Sequence, residues 1–407
     1  MGVSVSEGYN RMVGRRNILR GSFLAGGLWV SGLNKLQWLT AAPDLDADEF
    51  RGGTQLGVVE FSGEGLAPLD QAIGSELDGR LFTNLASLTA ENPVTPTGSF
   101  YIRTRASKLL DTTKPWSIQL AGLIEKPSLI AVQELKKIAQ PMRLHLMECA
   151  GNSRSAHFGM LSVADWEGVP LMGIIERAKP NAKASRVLIA GFDEYSAESK
   201  SSWPGASWIF TLDELRSSGA FLATGMNGQP LTVDHGAPVR LVVPSWYGCT
   251  CIKWVNEISL VDEEVVATSQ MQEYASRTMQ NGVPRLAREY QPARIEAAAM
   301  PIRIEKWLLS GEVKFRVVGI QWGGPRPVAG LEIRFNPEEG YAPVEDIQNS
   351  ATDSWSFWSH AWTPVTSGRY LIQLRLKERD YIARRLDAGY YVRSVEIADH
   401  VKSQRGR

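Results

Sequence analysis

Met147-Glu148-Cys149-Ala150-Gly151-Asn152-Ser153-Arg154 continues an alternating run, Arg143-Leu144-His145-Leu146-Met147-Glu148, that reads as a strand. The strand delivers Cys149 to a small-residue turn, which leaves its sulfur open to a large ligand. The nearby Arg154 cation would favour the thiolate. A cysteine at a strand end is more often a small buried hydrophobe. Two further segments shift that balance towards chemistry. One is Phe100-Tyr101-Ile102-Arg103-Thr104-Arg105. The other is Asp234-His235-Gly236-Ala237-Pro238-Val239-Arg240-Leu241-Val242-Val243-Pro244, with Cys251-Ile252-Lys253-Trp254 a few residues on.

Around these segments the chain alternates strand and helix signals. Trp116 to Leu120, Arg186 to Ala190, Val239 to Val243 and Trp254 to Val261 read as strands. Leu129 to Leu135, with Ser128 as its cap, and Leu212 to Ser217 read as helices. This is an α+β pattern with a mixed sheet. Residues 43 to about 98 give no clear periodicity. Beyond about residue 295 the helix signals fade. Glu312 to Trp322, Gly330 to Phe335, Ser356 to Trp362, Arg369 to Leu376 and Tyr390 to Ile397 read as short strands between Gly and Pro turns. About a hundred residues of this kind suggest an immunoglobulin-like sandwich, with Trp322, Trp355, Trp358 and Trp362 in its core or interface.

The chain has 407 residues, enough for two or three domains, and an ordinary globular composition, 43% apolar and 22% charged. Lys+Arg and Asp+Glu both number 44, which argues against a broad nucleic-acid surface and leaves room for a local anion site. The 13 Trp suit β-rich packing or an enclosed pocket. Three cysteines, Cys149, Cys249 and Cys251, exclude a disulfide-built scaffold, and Cys249 has no evident role. Near the start, Arg15-Arg16 precedes a short apolar stretch from Gly21 to Leu33, too short and glycine-rich to span a membrane. It resembles a twin-arginine signal, with a cleavage point around Thr40-Ala41-Ala42. That implies export in the folded state to the periplasm, and a bulky cofactor inserted beforehand. The expected division is therefore signal and linker over 1–42, a catalytic domain over 43–290 and a sandwich over 291–400.

Cys-Ala-Gly-Asn-x-Arg, Asp-His-Gly-x-Pro-Val-Arg and Lys-Trp occur here in the order found in the sulfite oxidase family of molybdopterin enzymes. The resemblance covers roughly residues 90 to 400. It implies a mixed-sheet α+β molybdopterin domain followed by an immunoglobulin-like dimerisation domain, so a homodimer. It also implies a molybdenum–molybdopterin cofactor and oxygen-atom transfer that converts sulfite to sulfate. Cys149 falls where the thiolate ligand of molybdenum sits, a soft donor suited to a metal already held by dithiolene sulfurs. Arg103, Arg154 and Tyr274 fall at catalytic positions: two arginines for the oxyanion and the active-site tyrosine, which lies 21 residues after Lys253. Tyr101, Ile102, Thr104, Arg105, Asp193, His235, Arg240, Cys251, Ile252 and Lys253 fall at cofactor-binding positions, where cations answer the pterin phosphate. Arg393 is a candidate third pocket arginine from the C-terminal domain. Thr104-Arg105 stands where the family has Asn-His, which adds positive charge. No Cys-x-x-Cys-His haem motif is present, so electrons are expected to leave to a separate acceptor, a periplasmic c-type cytochrome. Oxidation of sulfane sulfur and reduction of methionine sulfoxide are the alternative activities. A non-enzymatic periplasmic binding protein is the alternative of another class.

Overall fold

The computed structural model describes residues 49–199, 201–348, 353–378 and 380–398. The twin-arginine stretch and its cleavage point lie outside the described residues. No helix among the described residues is long and apolar enough to cross a membrane.

Four five-stranded sheets carry the chain, with only short helices between them. The first is antiparallel. Gln140–Glu148 pairs with Leu161–Pro170, which pairs with Phe221–Met226. Phe221–Met226 is buried along its whole length, and Arg240–Val242 also pairs with it. The second is mixed. Val255–Val261 runs parallel to Ser117–Gly122 and antiparallel to Arg186–Gly191, with Ser128–Ala131 and Ser207–Thr211 at the two edges. These two sheets bear out the mixed-sheet α+β reading of this region.

The other two sheets come from the last third of the chain. Ala298–Leu309, Glu312–Trp322 and Ser356–Trp362 pair antiparallel in one, and Leu331–Arg334, Gly368–Leu376 and Arg393–Ile397 in the other. Trp362 of the first meets Phe335 at 4.3 Å and Tyr370 of the second sheet at 4.9 Å, which ties the two apolar faces together. Trp322, Trp355, Trp358 and Trp362 are all buried. Gly319 is required opposite Trp358, because a Cβ there would lie 2.0 Å from the indole.

The structure corrects two sequence expectations and adds one strand that the sequence did not signal. Residues 54–62, assigned from sequence to the catalytic domain, belong to the C-terminal sheets. Thr54–Val59 pairs with Ala298–Leu309, and Phe61–Ser62 pairs with Arg393–Ile397. The long edges of those strands would otherwise be left open, and an unpaired edge is a liability. The expected helix Leu129 to Leu135 splits: Ser128–Ala131 is a strand beside Ser117–Gly122, and only Val132–Lys137 is helical. The Lys126-Pro127 turn sends the chain back along the sheet edge, where hydrogen bonding outweighs helix propensity. Ala298–Leu309 carries Pro301 and the charged run Arg303 to Lys306, so its strand signal is poor. A register shift between Pro301 and Arg303 accommodates the missing N–H.

Candidate active site

Cys149 follows directly on strand Gln140–Glu148. Its N–H donates to Met160 O at 2.9 Å, its carbonyl accepts from Asn152 N–H, and its sulfur accepts from Gly151 N–H at 3.4 Å. The Asn152 side-chain oxygen accepts from Met160 N–H, closing the turn. Cys149 is only 3% exposed and faces a cavity. Phe100 to Thr104, Asp234 to Arg240, Cys249 to Trp254 and Gln270 to Tyr274 all contribute walls to it. The three segments singled out in the sequence therefore converge on one cavity. All three cysteines are free, and all three line it.

Burial pushes the Cys149 thiol up. Arg103 and, more weakly, the Gly151 N–H and Arg277 pull it back. The cation expected to do this, Arg154, is exposed and donates to Val392 O. The Arg154–Ala156 turn carries it away from the cavity, which it does not line. Its place near the sulfur is taken by Arg277, whose guanidinium lies 5.2 Å over the Tyr274 ring. Tyr274 itself lines the cavity, with its phenol pushed up by burial and by Cys149.

The positions expected to hold cofactor divide similarly. Tyr101, Ile102, Thr104, Asp193, His235, Arg240, Cys251, Ile252 and Lys253 line the cavity with Arg103, and Arg105 does not. Arg105 instead pairs with Asp234 at 2.9 Å and donates to Gly74 O, because the chain turns outward after Thr104. Asp193 is desolvated, which raises its carboxyl pKa against hydrogen bonds from Ala206, Tyr195 and Gly205. His235 Nε2 contacts the Phe100 carbonyl at 3.0 Å. A carbonyl only accepts, so Nε2 carries the proton and Nδ1 accepts from Thr232. Burial holds its pKa down at about 4, so the ring is neutral near pH 7. Gly236 (φ 106°) and Gly248 allow this crowding. A Cβ on Gly248 would lie 2.3 Å from the Tyr101 hydroxyl, and one on Gly236 2.9 Å from Arg240 Cβ.

Three cations on the cavity wall carry the electrostatic argument. Arg240 donates to His235 O at 3.0 Å and Cys251 O at 3.2 Å and lies 5.4 Å over Trp166, yet its Nε is buried without a partner. Lys253 donates to the carbonyls of Thr104 and Asp234, and burial drives its pKa well below the usual lysine range. Arg103 donates to Ser202 Oγ at 3.0 Å. Among the described residues none of the three has a salt-bridging carboxylate. Arg240 is buried and the other two are partly so, and cations withdrawn from water without counter-charge are costly unless a ligand supplies it. This donor set fits an anionic, phosphate-bearing pterin beside a thiolate ligand.

Cys251 contributes its carbonyl to Arg240, and its sulfur accepts from Val243 N–H at 3.4 Å. Cys249 offers its carbonyl to Gln270. Arg393 is buried far from the role suggested for it. It grips Glu64 through two nitrogens, donates to Pro301 O and lies 3.6 Å from the Phe61 ring centroid. The C-terminal arginine that does reach the Cys149 turn is Arg385, which donates to Ala150 O at 2.7 Å and to Arg277 O at 2.6 Å. Sequence reasoning missed Arg277, Arg385, Arg80 and Ser202. Arg277 alone left a signal, its place three residues beyond Tyr274.

Glu148, next to Cys149, is fully buried. Its carboxylate accepts from Trp322 Nε1 at 2.9 Å and the Tyr391 hydroxyl at 3.1 Å, both from the C-terminal sheets. Burial raises its pKa, while Arg385, Trp322, Tyr391 and Asn152 oppose the rise.

Residues 106–269 match the oxidoreductase molybdopterin binding domain. The chain is 32% identical over 193 residues to the protein-methionine-sulfoxide reductase catalytic subunit MsrP of Xanthomonas axonopodis pv. citri (strain 306), covering 45% of this chain and 58% of that protein. It is 24% identical over 333 residues to the mitochondrial sulfite oxidase of Macaca fascicularis, covering 76% of this chain and 59% of that protein. The chain thus spans somewhat over half the length of these relatives. The sulfane dehydrogenase SoxCD of Paracoccus pantotrophus shares the fold at 18% identity, with a TM-score of 0.59, over 89% of this chain and 98% of that one. With the geometry above, these matches define a molybdopterin-binding oxidoreductase whose cofactor is molybdenum–molybdopterin. Within that class the chain is similar to members of the sulfite oxidase family.

Proposed function

We propose that this protein oxidises sulfite to sulfate by oxygen-atom transfer and passes the electrons to a c-type cytochrome. The observation that carries the reading is Arg103. Its guanidinium lines the cavity beside Cys149, and among the described residues its side chain has Ser202 as its only hydrogen-bond partner. Most of its five donors are therefore available to an oxyanion.

When bound, the molybdenum–molybdopterin supplies the two-electron oxygen-atom chemistry. Cys149 would ligate the metal, and Arg240, Lys253 and His235 would hold the pterin and its phosphate. Arg103 then gathers the anion and stabilises the oxyanion charge that develops on it, as a donor already fixed in place by Ser202. Tyr274 keeps its proton at neutral pH and can donate a hydrogen bond to the bound anion. Arg277, stacked on that ring, adds positive potential without competing for the substrate. Export to the periplasm by the twin-arginine route belongs to the same proposal. So does an immunoglobulin-like C-terminal pair of sheets serving as the contact of a homodimer.

Sulfite-dependent reduction of ferricyanide and of cytochrome c, with molybdenum content measured on the same sample, tests the reading. Turnover with about one molybdenum per chain is expected. Silence towards sulfite at full metal loading would overturn it. The 32% identity to a methionine-sulfoxide reductase subunit makes sulfoxide reduction the second reading, so the same sample is assayed with methionine sulfoxide and a reduced dye.

A further inference from the structure

Behind Arg103 stands a second guanidinium that does not line the cavity. Arg80 Nη1 donates to the Arg103 carbonyl at 2.7 Å, and to Leu77 O and Gly79 O. Its Nη2 donates to Ser202 Oγ at 3.2 Å, the oxygen that also accepts from Arg103 Nη1 at 3.0 Å. One buried hydroxyl thus bridges two like charges. The serine sits in a segment fastened to the wall by its own hydroxyls. Ser196 donates to Glu76, and Ser199 and Ser201 donate to Asp78.

The acids around this pair have other partners. Glu76 takes bonds from Ser196, Ser107 and Lys108 N–H. Asp234 pairs with Arg105, Glu273 faces Arg277 at 3.8 Å, and Asp193 is hydrogen-bonded to Tyr195. Neither Arg80 nor Arg103 has a salt-bridging carboxylate among the described residues. Burial and Arg103 lower the Arg80 pKa to about 10, against the opposing pull of Tyr274, Asp78 and Cys149.

We propose that Arg80 is a positioning residue that acts through Arg103 and Ser202 to make the cavity select doubly charged oxyanions over singly charged ones. It fixes the Arg103 backbone, and it adds a positive charge whose pull on a bound anion scales with the anion's own charge. If losing that charge weakens a monoanion by some factor, a dianion in the same place weakens by about the square of it. A neutral sulfoxide would feel almost none of this. The inference rests on the proposed sulfur-oxyanion substrate and narrows it to the dianionic form.

The test uses the molybdenum-loaded protein and titrates sulfate and nitrate by calorimetry at fixed ionic strength. Wild type, Arg80→Gln, Arg80→Lys and Ser202→Ala are compared, with sulfite KM and kcat measured alongside. Arg80→Gln is expected to weaken sulfate by about tenfold and nitrate by about threefold. Arg80→Lys should restore sulfate affinity to within about threefold of wild type, because it keeps the charge. Ser202→Ala should raise KM well beyond any fall in kcat, since it loosens Arg103 without removing a cation. Equal losses for the two anions, or sulfate affinity unchanged in both Arg80→Gln and Ser202→Ala, would overturn the inference while sulfite turnover by wild type still stood. Should Arg80→Gln fail to fold, Ser202→Ala decides: it should weaken sulfate more than nitrate, because the pull of Arg103 also scales with the anion's charge, and equal losses would overturn the inference. A wild type that ignores sulfite and reduces methionine sulfoxide would instead remove the functional reading beneath it.

Discussion

Two arginines, a tyrosine and a thiol lie within electrostatic reach of one another around Cys149, and each answers to a different substitution. Cys149→Ser should abolish sulfite turnover while pterin remains bound through Arg240, Lys253 and His235. Pterin fluorescence after oxidative release measures retention, and a variant keeping a tenth of wild-type turnover would exclude Cys149 as the metal ligand. Arg103→Gln should lower kcat/KM by about 100-fold, chiefly through KM, the size expected when a charged oxyanion donor is lost. At this scale the sequence was legible wherever a motif surrounds the residue, as with Cys149, Arg240 and Lys253. It was silent on Arg80 and Arg385, because the contacts that tie them to the site are with the carbonyls of Arg103 and Ala150, contributed by distant segments. Arg154 and Arg105 stand off the cavity for a related reason: at the far end of each segment the chain turns away, and proximity in sequence stops implying proximity to the sulfur.

Helix Leu212–Ser218 shows how local rules specify an element. Thr211 Oγ accepts from Glu214 N–H at 3.0 Å, the Glu214 carboxylate accepts from Thr211 N–H at 2.7 Å, and Gly219 ends the helix in a left-handed conformation. Thr211→Ala should cost about 1 kcal/mol, read from denaturant unfolding. The anchoring of Ser196 and of the Ser107-Lys108 turn depends instead on Glu76. Burial would raise that carboxyl, but hydrogen bonds from Ser196, Lys108 and Ser107 outweigh it and hold the pKa at about 2. A carboxylate depressed from 4.5 stabilises the fold above pH 4.5 and loses that contribution as pH falls towards 2. Glu76→Gln should therefore be less stable by about 1–3 kcal/mol at neutral pH and show a flatter acid limb between those values. Equal pH profiles for the two proteins would contradict this. Strands with clean alternation, such as Gly368–Leu376, were legible. Ser128–Ala131 was not, since whether a short apolar run becomes helix or sheet edge depends on the strand beside it.

For the whole molecule, the change of character near residue 295 marked where the C-terminal sheets begin. It did not reveal how firmly the two parts are joined. Trp322 and Tyr391 reach from those sheets to Glu148, and Arg385 to Ala150. Without them a buried carboxylate beside Cys149 would lose its donors. A chain truncated before Ala298 should therefore be insoluble or lack cooperative unfolding. A soluble fragment that binds pterin and melts cooperatively would show the catalytic part to be autonomous. Trp322→Phe is the milder probe, with an expected loss of about 1–3 kcal/mol.

Phe61–Ser62 lies against Arg393–Ile397, and the Ser62 and Ser394 hydroxyls meet 332 positions apart. A ribosome must therefore deliver more than 300 further residues after Ser62 before that strand finds its neighbour, and until then the waiting segment is the part a holding chaperone would need to shield.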